Sequence, residues 1–167
     1  ESGGQAGDQG VLEWPGGEAD VLDVKKHAGD LHVLSVQITA GTLAMGARVA
    51  QSVDAETRRT TRANHSAAHL LHTALKNVLG PQVAQKGQLV DAERARFDFS
   101  HSAPVTEDEL AAIEAEVNAV IRQNVPAETK LMAPADAIEA GAIALFGEKY
   151  GDEVRVLTLG RSLASDN

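Results

Sequence analysis

The stretch from Thr60 to Leu79, closed by Gly80-Pro81, constrains this chain more than any other. Leu70, Leu71, Leu75, Val78 and Leu79 recur at helical spacing and form a stripe that a folded chain has to cover. Asn64 or a neighbouring threonine suits the start, glycine suits the position past the end, and proline blocks continuation. The pattern therefore predicts a helix of about four turns. His65 and His69 stand four residues apart, which on a helix sets one imidazole a turn above the other, with Cβ atoms about 5–6 Å apart. Both rings can then reach one tetrahedral zinc ion, or each can serve as a hydrogen-bonded polar group at the edge of a core. His72, three residues further along the same side, admits the same two readings: a third ligand or a core histidine bordering the leucines.

The pair is not the zinc-protease motif. There a glutamate directly follows the first histidine and acts as general base, whereas here the position is Ser66. Any hydrolysis has to find its proton acceptor elsewhere.

The run Asn64-His65-Ser66-Ala67-Ala68-His69-Leu70-Leu71-His72 resembles the core motif of the editing domain shared by alanyl-tRNA synthetases, their free-standing editing relatives and, more distantly, threonyl-tRNA synthetases. Glu1-Ser2-Gly3-Gly4-Gln5 with Asp8 and Gly10 looks like the stretch that opens the alanyl editing region. Val53-Asp54 with Arg58-Arg59 looks like its lead into the metal helix. Gln85-Lys86-Gly87-Gln88-Leu89-Val90 and Arg96-Phe97-Asp98-Phe99-Ser100-His101 resemble its strand pair. The resemblance covers nearly the whole chain and points to a parent of the bacterial alanyl type.

That resemblance implies a zinc site with His65 and His69 as metal ligands, completed in the family by a Cys-x3-His pair. This chain has no cysteine and ends at Asn167, so two further ligands are expected beyond that residue. It also implies a substrate-binding role for Gly3, Gly4, Gln5, Ala68 and Lys86. Many family members carry a threonine at the position of Ala68, which leaves the fine specificity open. Gln85 is placed at the catalytic position; a carboxamide is no general base near pH 7, but it can orient water or an ester by donating and accepting hydrogen bonds.

Composition narrows the function classes. The net charge is −9, so the overall field repels nucleic acid, and binding to DNA or to RNA at large is not expected. Arg58, Arg59 and Arg62 beside the histidine helix suit either local recognition of an RNA end or a solvated helix start. Aromatics make up only 3% of the chain, too few for a base-stacking platform. The absence of cysteine excludes a disulfide scaffold. No apolar run resembles a signal peptide or a membrane span, and the expected location is the cytoplasm.

In chain order, Val11–Trp14, Ala19–Lys25, Leu31–Ile38 and Ala47–Val53 read as short strands, divided by Pro15-Gly16-Gly17, Ala28-Gly29-Asp30 and glycines 41 and 46. They predict a small antiparallel β-barrel or sandwich, and the family comparison favours the barrel. After the helix, Val83–Val90 and Arg94–Ser100 predict a hairpin turning at Asp91-Ala92-Glu93, with Phe97 and Phe99 on one face. Thr106-Glu107-Asp108-Glu109 is a capping box opening a helix to about Asn124, with Leu110, Ile113, Val117, Val120 and Ile121 as its buried stripe. Glu128–Met132 reads as a strand, Pro134–Ala144 as a helix and Glu153–Leu159 as a strand, with Ser162–Asn167 a loop.

The expected fold class is α+β: a β-barrel lobe over residues 1–56, then a sheet-plus-helices lobe over residues 57–167. The function implied by the resemblance is hydrolysis of serine or glycine from a mischarged alanine tRNA, with the tRNA acceptor end as partner. ATP and magnesium belong to the parent's aminoacylation domain, which this chain lacks. A non-catalytic tRNA-positioning module, an inactive fragment and a domain whose histidines are purely structural are the alternatives.

Overall fold

A computed structural model describes residues 4–28, 31–142 and 151–160. The sequence readings that fall on Ser2, Gly3, Gly29-Asp30, residues 143–150 and residues 161–167 lie outside the described residues. The chain divides into two compact units, Glu1–Ile113 and Glu114–Asn167. Compactness thus groups the first four strands with the histidine helix and its hairpin, whereas the sequence division after residue 56 separates segment types.

Strands β1 (Gly10–Trp14), β2 (Gly17–His27), β3 (Leu31–Ala40) and β4 (Ala50–Val53) pair antiparallel in the order β3-β2-β1-β4. Leu12 stands opposite Ala19 on one side and Gln51 on the other. Leu12, Ala19 and Val21 form a buried cluster flanked by Trp14, Val24 and Leu34. The α+β class holds, but the sheet is open and the expected barrel is not formed. Among the described residues β3 pairs with β2 alone and β4 with β1 alone. Closure needs tilted, staggered strands whose two edges meet, and a four-residue β4 offers too little edge for the ten-residue β3.

Helix α1 (Ala55–Leu79) is longer than its apolar pattern predicts and begins more than two turns before Asn64. Its cap is Asp54, whose Oδ1 accepts from the backbone N–H groups of Glu56 and Thr57 at 2.9 and 3.0 Å. That is enough to start a polar helix ahead of the leucines. Asn64 lies inside the helix, where its Nδ2 donates to the Asp91 carbonyl at 2.9 Å. The buried face runs through Thr61, Ala68, His72, Leu75 and Leu79, while Leu70, Leu71 and Val78 are only half-buried. Gly80, at φ 110°, ends the helix as expected.

The buried face rests on the hairpin of β5 (Ala84–Val90) and β6 (Ala95–Ser100). Val83 and Val90 are buried beneath it. The hairpin turn is held by Asp91 Oδ1, which accepts from the N–H groups of Glu93 and Arg94, both at 2.8 Å. Directly opposed residues share a sheet face, so Gln88 with Phe97 and Gln85 with Phe99 lie on one side. Phe97 touches His72 of α1, which makes that side the one facing the helix.

Helix α2 (Glu107–Arg122) opens on the predicted capping box: Glu109 Oε2 accepts from the Thr106 N–H at 2.8 Å, and Thr106 Oγ1 accepts from the Glu109 N–H at 3.3 Å. Its expected buried stripe is realised in part: Ile113 is buried and Val117 and Val120 are partly buried, while Leu110 and Ile121 are half exposed. In the second unit β7 (Glu128–Met132) and β8 (Val154–Thr158) form an antiparallel pair, and α3 (Pro134–Glu139), shorter than predicted, packs on β8. No helix among the described residues is long and apolar enough to cross a membrane.

Candidate functional site

The N-terminal segment is fastened along β5. The Val90 N–H donates to the Gly4 carbonyl at 2.9 Å and the Ala6 N–H donates to the Val90 carbonyl at 2.8 Å, so Gln5 and Val90 make a parallel bridge. Further along, Arg58 Nη1 of α1 contacts both carboxylate oxygens of Asp8 at 2.7 and 2.8 Å, and the Asp54 N–H donates to the Gln9 carbonyl at 2.8 Å. Held at both ends, the segment delivers one side chain to the histidine helix. Gln5 Oε1 lies 2.7 Å from His65 Nδ1.

His65 and His69 are stacked, with ring centroids 5.0 Å apart and planes inclined by 11°. One-turn spacing on α1 sets this arrangement, as the sequence predicts. Much of the His69 surface reaches solvent, yet the crowding around its ring lowers its pKa below the ordinary value, mainly by desolvation and secondarily through the neighbouring His65. His72 is different. It is buried, its ring centroid is 5.2 Å from that of Phe97, and its Nε2 has no partner among the described residues. Desolvation, then Lys76 and His69, lower its pKa, so it sits in the core as a neutral ring.

The other predicted positions fall as follows. Ala68 is 1% exposed, packed into the buried face of α1 one residue before His69. Gln85 lies on the helix-facing side of the hairpin, its Nε2 3.4 Å from Gln88 Oε1. Lys86 is the extra residue of a β-bulge between Gln85 and Gly87 and is exposed. Gly4 adopts φ 74°, and a Cβ there would overlap the Gln88 carbonyl oxygen. Its glycine is thus required by the close approach of two backbones. Gly3 is outside the described residues. The structure therefore brings Gln5 to His65, and His65 to His69. The Asp8–Arg58 clasp and the Gln5–His65 contact join residues 50 and 60 positions apart, and no local pattern signals either.

Among the described residues no group of three or more histidine, aspartate or glutamate side chains is placed to hold a metal ion. Two imidazoles fit two positions of a tetrahedral zinc ion, and the engagement of His65 Nδ1 by Gln5 fits the usual support of a ligating histidine through its other nitrogen. Nearly parallel rings do not aim their lone pairs at one point, so a shared ion requires one ring to turn. His69 has the freer side chain.

Fold and site together define an α+β chain organised around a helix-borne histidine pair that the N-terminal segment supports through the Gln5 carboxamide. No family model matches it. It is 69% identical over 166 residues to the alanine–tRNA ligase of Caulobacter vibrioides, covering 99% of this chain and 19% of that protein. It is 69% identical over 163 residues to that of Caulobacter sp. K31, covering 98% of this chain and 18% of the relative. With that of Hyphomonas neptunium it shares 57% over 161 residues, covering 96% of this chain and 18% of the relative. By sequence the chain is homologous to a segment of the alanine–tRNA ligases. It spans about a fifth of the length of the curated relatives it matches.

Proposed function

We propose that this chain is part of a proofreading module that hydrolyses the ester joining serine or glycine to an alanine tRNA. The observation that carries the reading is the His65–His69 pair, stacked one turn apart on α1 with His65 supported by Gln5. Homology to alanine–tRNA ligases over nearly the whole chain supplies the tRNA context. In this reading His65 and His69 hold two positions of a zinc ion. When bound, zinc supplies Lewis-acid polarisation of the ester and makes hydroxide available near neutral pH.

The chain's own residues do the rest. Gln85, on the hairpin side that faces α1, orients the ester or the attacking water through its amide, donating from Nε2 and accepting at Oε1. Desolvation shifts His69 toward its neutral form, in which an imidazole nitrogen can act as a ligand. Lys86, exposed at the bulge, offers a cation to the tRNA backbone despite the negative net charge. Gly4 precedes Gln5, whose carboxamide oxygen meets His65.

The test is release of serine and glycine from charged alanine tRNA by a chain extended past Asn167. His65→Ala and His69→Ala are expected to lower the rate on the order of 100-fold or more, and Gln85→Ala by a comparable factor. Unchanged tRNA binding without any hydrolysis would favour a non-catalytic positioning module instead.

A further inference from the structure

The residue whose placement is least accounted for is Gln5. Its Oε1 meets His65 Nδ1 at 2.7 Å, while its Nε2 is buried with no partner among the described residues. A buried amide donor left without an acceptor is costly, so the contact with His65 is maintained at the expense of that amide. The surrounding scaffold holds it there. The backbone bridge to Val90 flanks Gln5 on both sides, and the position before it accepts only glycine because Gln88's carbonyl fills the space of a Cβ. Three residues on, Asp8 is gripped by Arg58, one helical side of α1 away from His65 by seven residues, or about two turns. The segment is thereby tied to β5 around Gln5 and to α1 three residues further on.

We propose that Gln5 is a positioning residue for His65, and not a substrate contact: its carboxamide oxygen accepts the Nδ1–H proton and leaves the lone pair on Nε2. Which nitrogen of a histidine is protonated follows from the hydrogen bond the other one makes, so this contact selects the tautomer as well as the ring orientation. The lone pair on Nε2 is then available before any metal arrives, and His65 is the fixed member of the pair while His69 is the one that turns. This rests on the zinc reading above for its purpose, though not for the tautomer itself.

The experiment separates the two. Nitrogen-15 NMR of the imidazoles, on the metal-free chain at pH 8, reads the tautomer of His65 directly. The expected result is a proton on Nδ1 in the wild type, lost in Gln5→Leu and in Gln5→Asn, which keeps the amide but shortens its reach by one carbon, and retained in Gln5→Glu. A wild-type proton on Nε2, or a His65 spectrum indifferent to all three substitutions, overturns the proposal. Zinc titration of the same variants then expects Gln5→Leu to bind about 10–100-fold more weakly, with Gln5→Glu restoring affinity. Equal affinity in Gln5→Leu despite a changed tautomer overturns the positioning role. If the wild type and His65→Ala bind zinc equally poorly, the zinc reading fails, and the metal-free spectra still decide what Gln5 does.

Discussion

Gly4 and Gln88 approach so closely that a methyl group on Gly4 would overlap the Gln88 carbonyl oxygen, and Gly4 also adopts φ 74°, a region that side chains disfavour. Both effects oppose substitution. Gly4→Ala is expected to destabilise the first unit by about 2 kcal/mol or more, since the overlap with the Gln88 backbone adds to the cost of the left-handed conformation, and to displace Gln5 from His65. Urea unfolding measures the first effect, and the His65 imidazole spectrum shows the second. A fully stable Gly4→Ala with an unchanged spectrum would mean that the N-terminal segment is not held along β5.

His72 makes the stability of the fold depend on pH. Burial, Lys76 and His69 all lower its pKa below the ordinary 6.5. Above 6.5 the ring is neutral in both folded and unfolded chains, and its full contribution is present. As the pH falls below that value the unfolded chain takes up the proton first, so stability drops through the folded pKa. His72→Leu removes this proton uptake and the Nε2 beside Phe97 that has no partner among the described residues. The variant is expected to be about 1 kcal/mol more stable at pH 7 and to lose less between pH 7 and 5. A steeper acid loss in the variant than in the wild type would contradict the buried neutral ring.

Leu75 and Leu110 are the same residue type in two helices with opposite fates. Leu75 is 3% exposed on the hairpin side of α1, and Leu110 is 48% exposed on α2. Leu75→Ala should cost about 3 kcal/mol through lost burial and a residual cavity. Leu110→Ala should fall within about 0.5 kcal/mol of the wild type. Denaturant midpoints for the two variants provide the comparison, and similar losses would show that Leu110 is covered.

The clasp of Asp8 by Arg58 joins the N-terminal segment to α1 with both groups about a third exposed. A double-mutant cycle with Asp8→Asn and Arg58→Gln is expected to give a coupling of about 1 kcal/mol, reduced by added salt because the pair is within reach of solvent. A coupling near zero would leave the Val90 bridge as the main fastening of the segment.

The local features were legible because they depend on neighbours along the chain. The α1 C-terminus, the Asp91 turn, the Thr106 capping box and the one-turn relation of His65 to His69 follow from backbone hydrogen bonding and helical period. Where two local signals compete, as at the start of α1, the sequence does not decide between them. Asp54 caps α1 ahead of Asn64 because its carboxylate reaches two free N–H groups, and the buried face of α1 runs through Thr61, Ala68, His72, Leu75 and Leu79, with Leu70, Leu71 and Val78 only partly buried.

By itself, then, the sequence determined the kinds and order of the elements and set two imidazoles one above the other, since a helix leaves no other outcome for that spacing. Only the tertiary structure decided that the first four strands remain an open sheet, that His72 is a core ring, and that Gln5 rather than any nearer residue supports His65. Each depends on contacts between segments far apart in the chain. Such contacts are set by how buried faces and backbone edges find one another, and strand or helix periodicity carries no record of the partner.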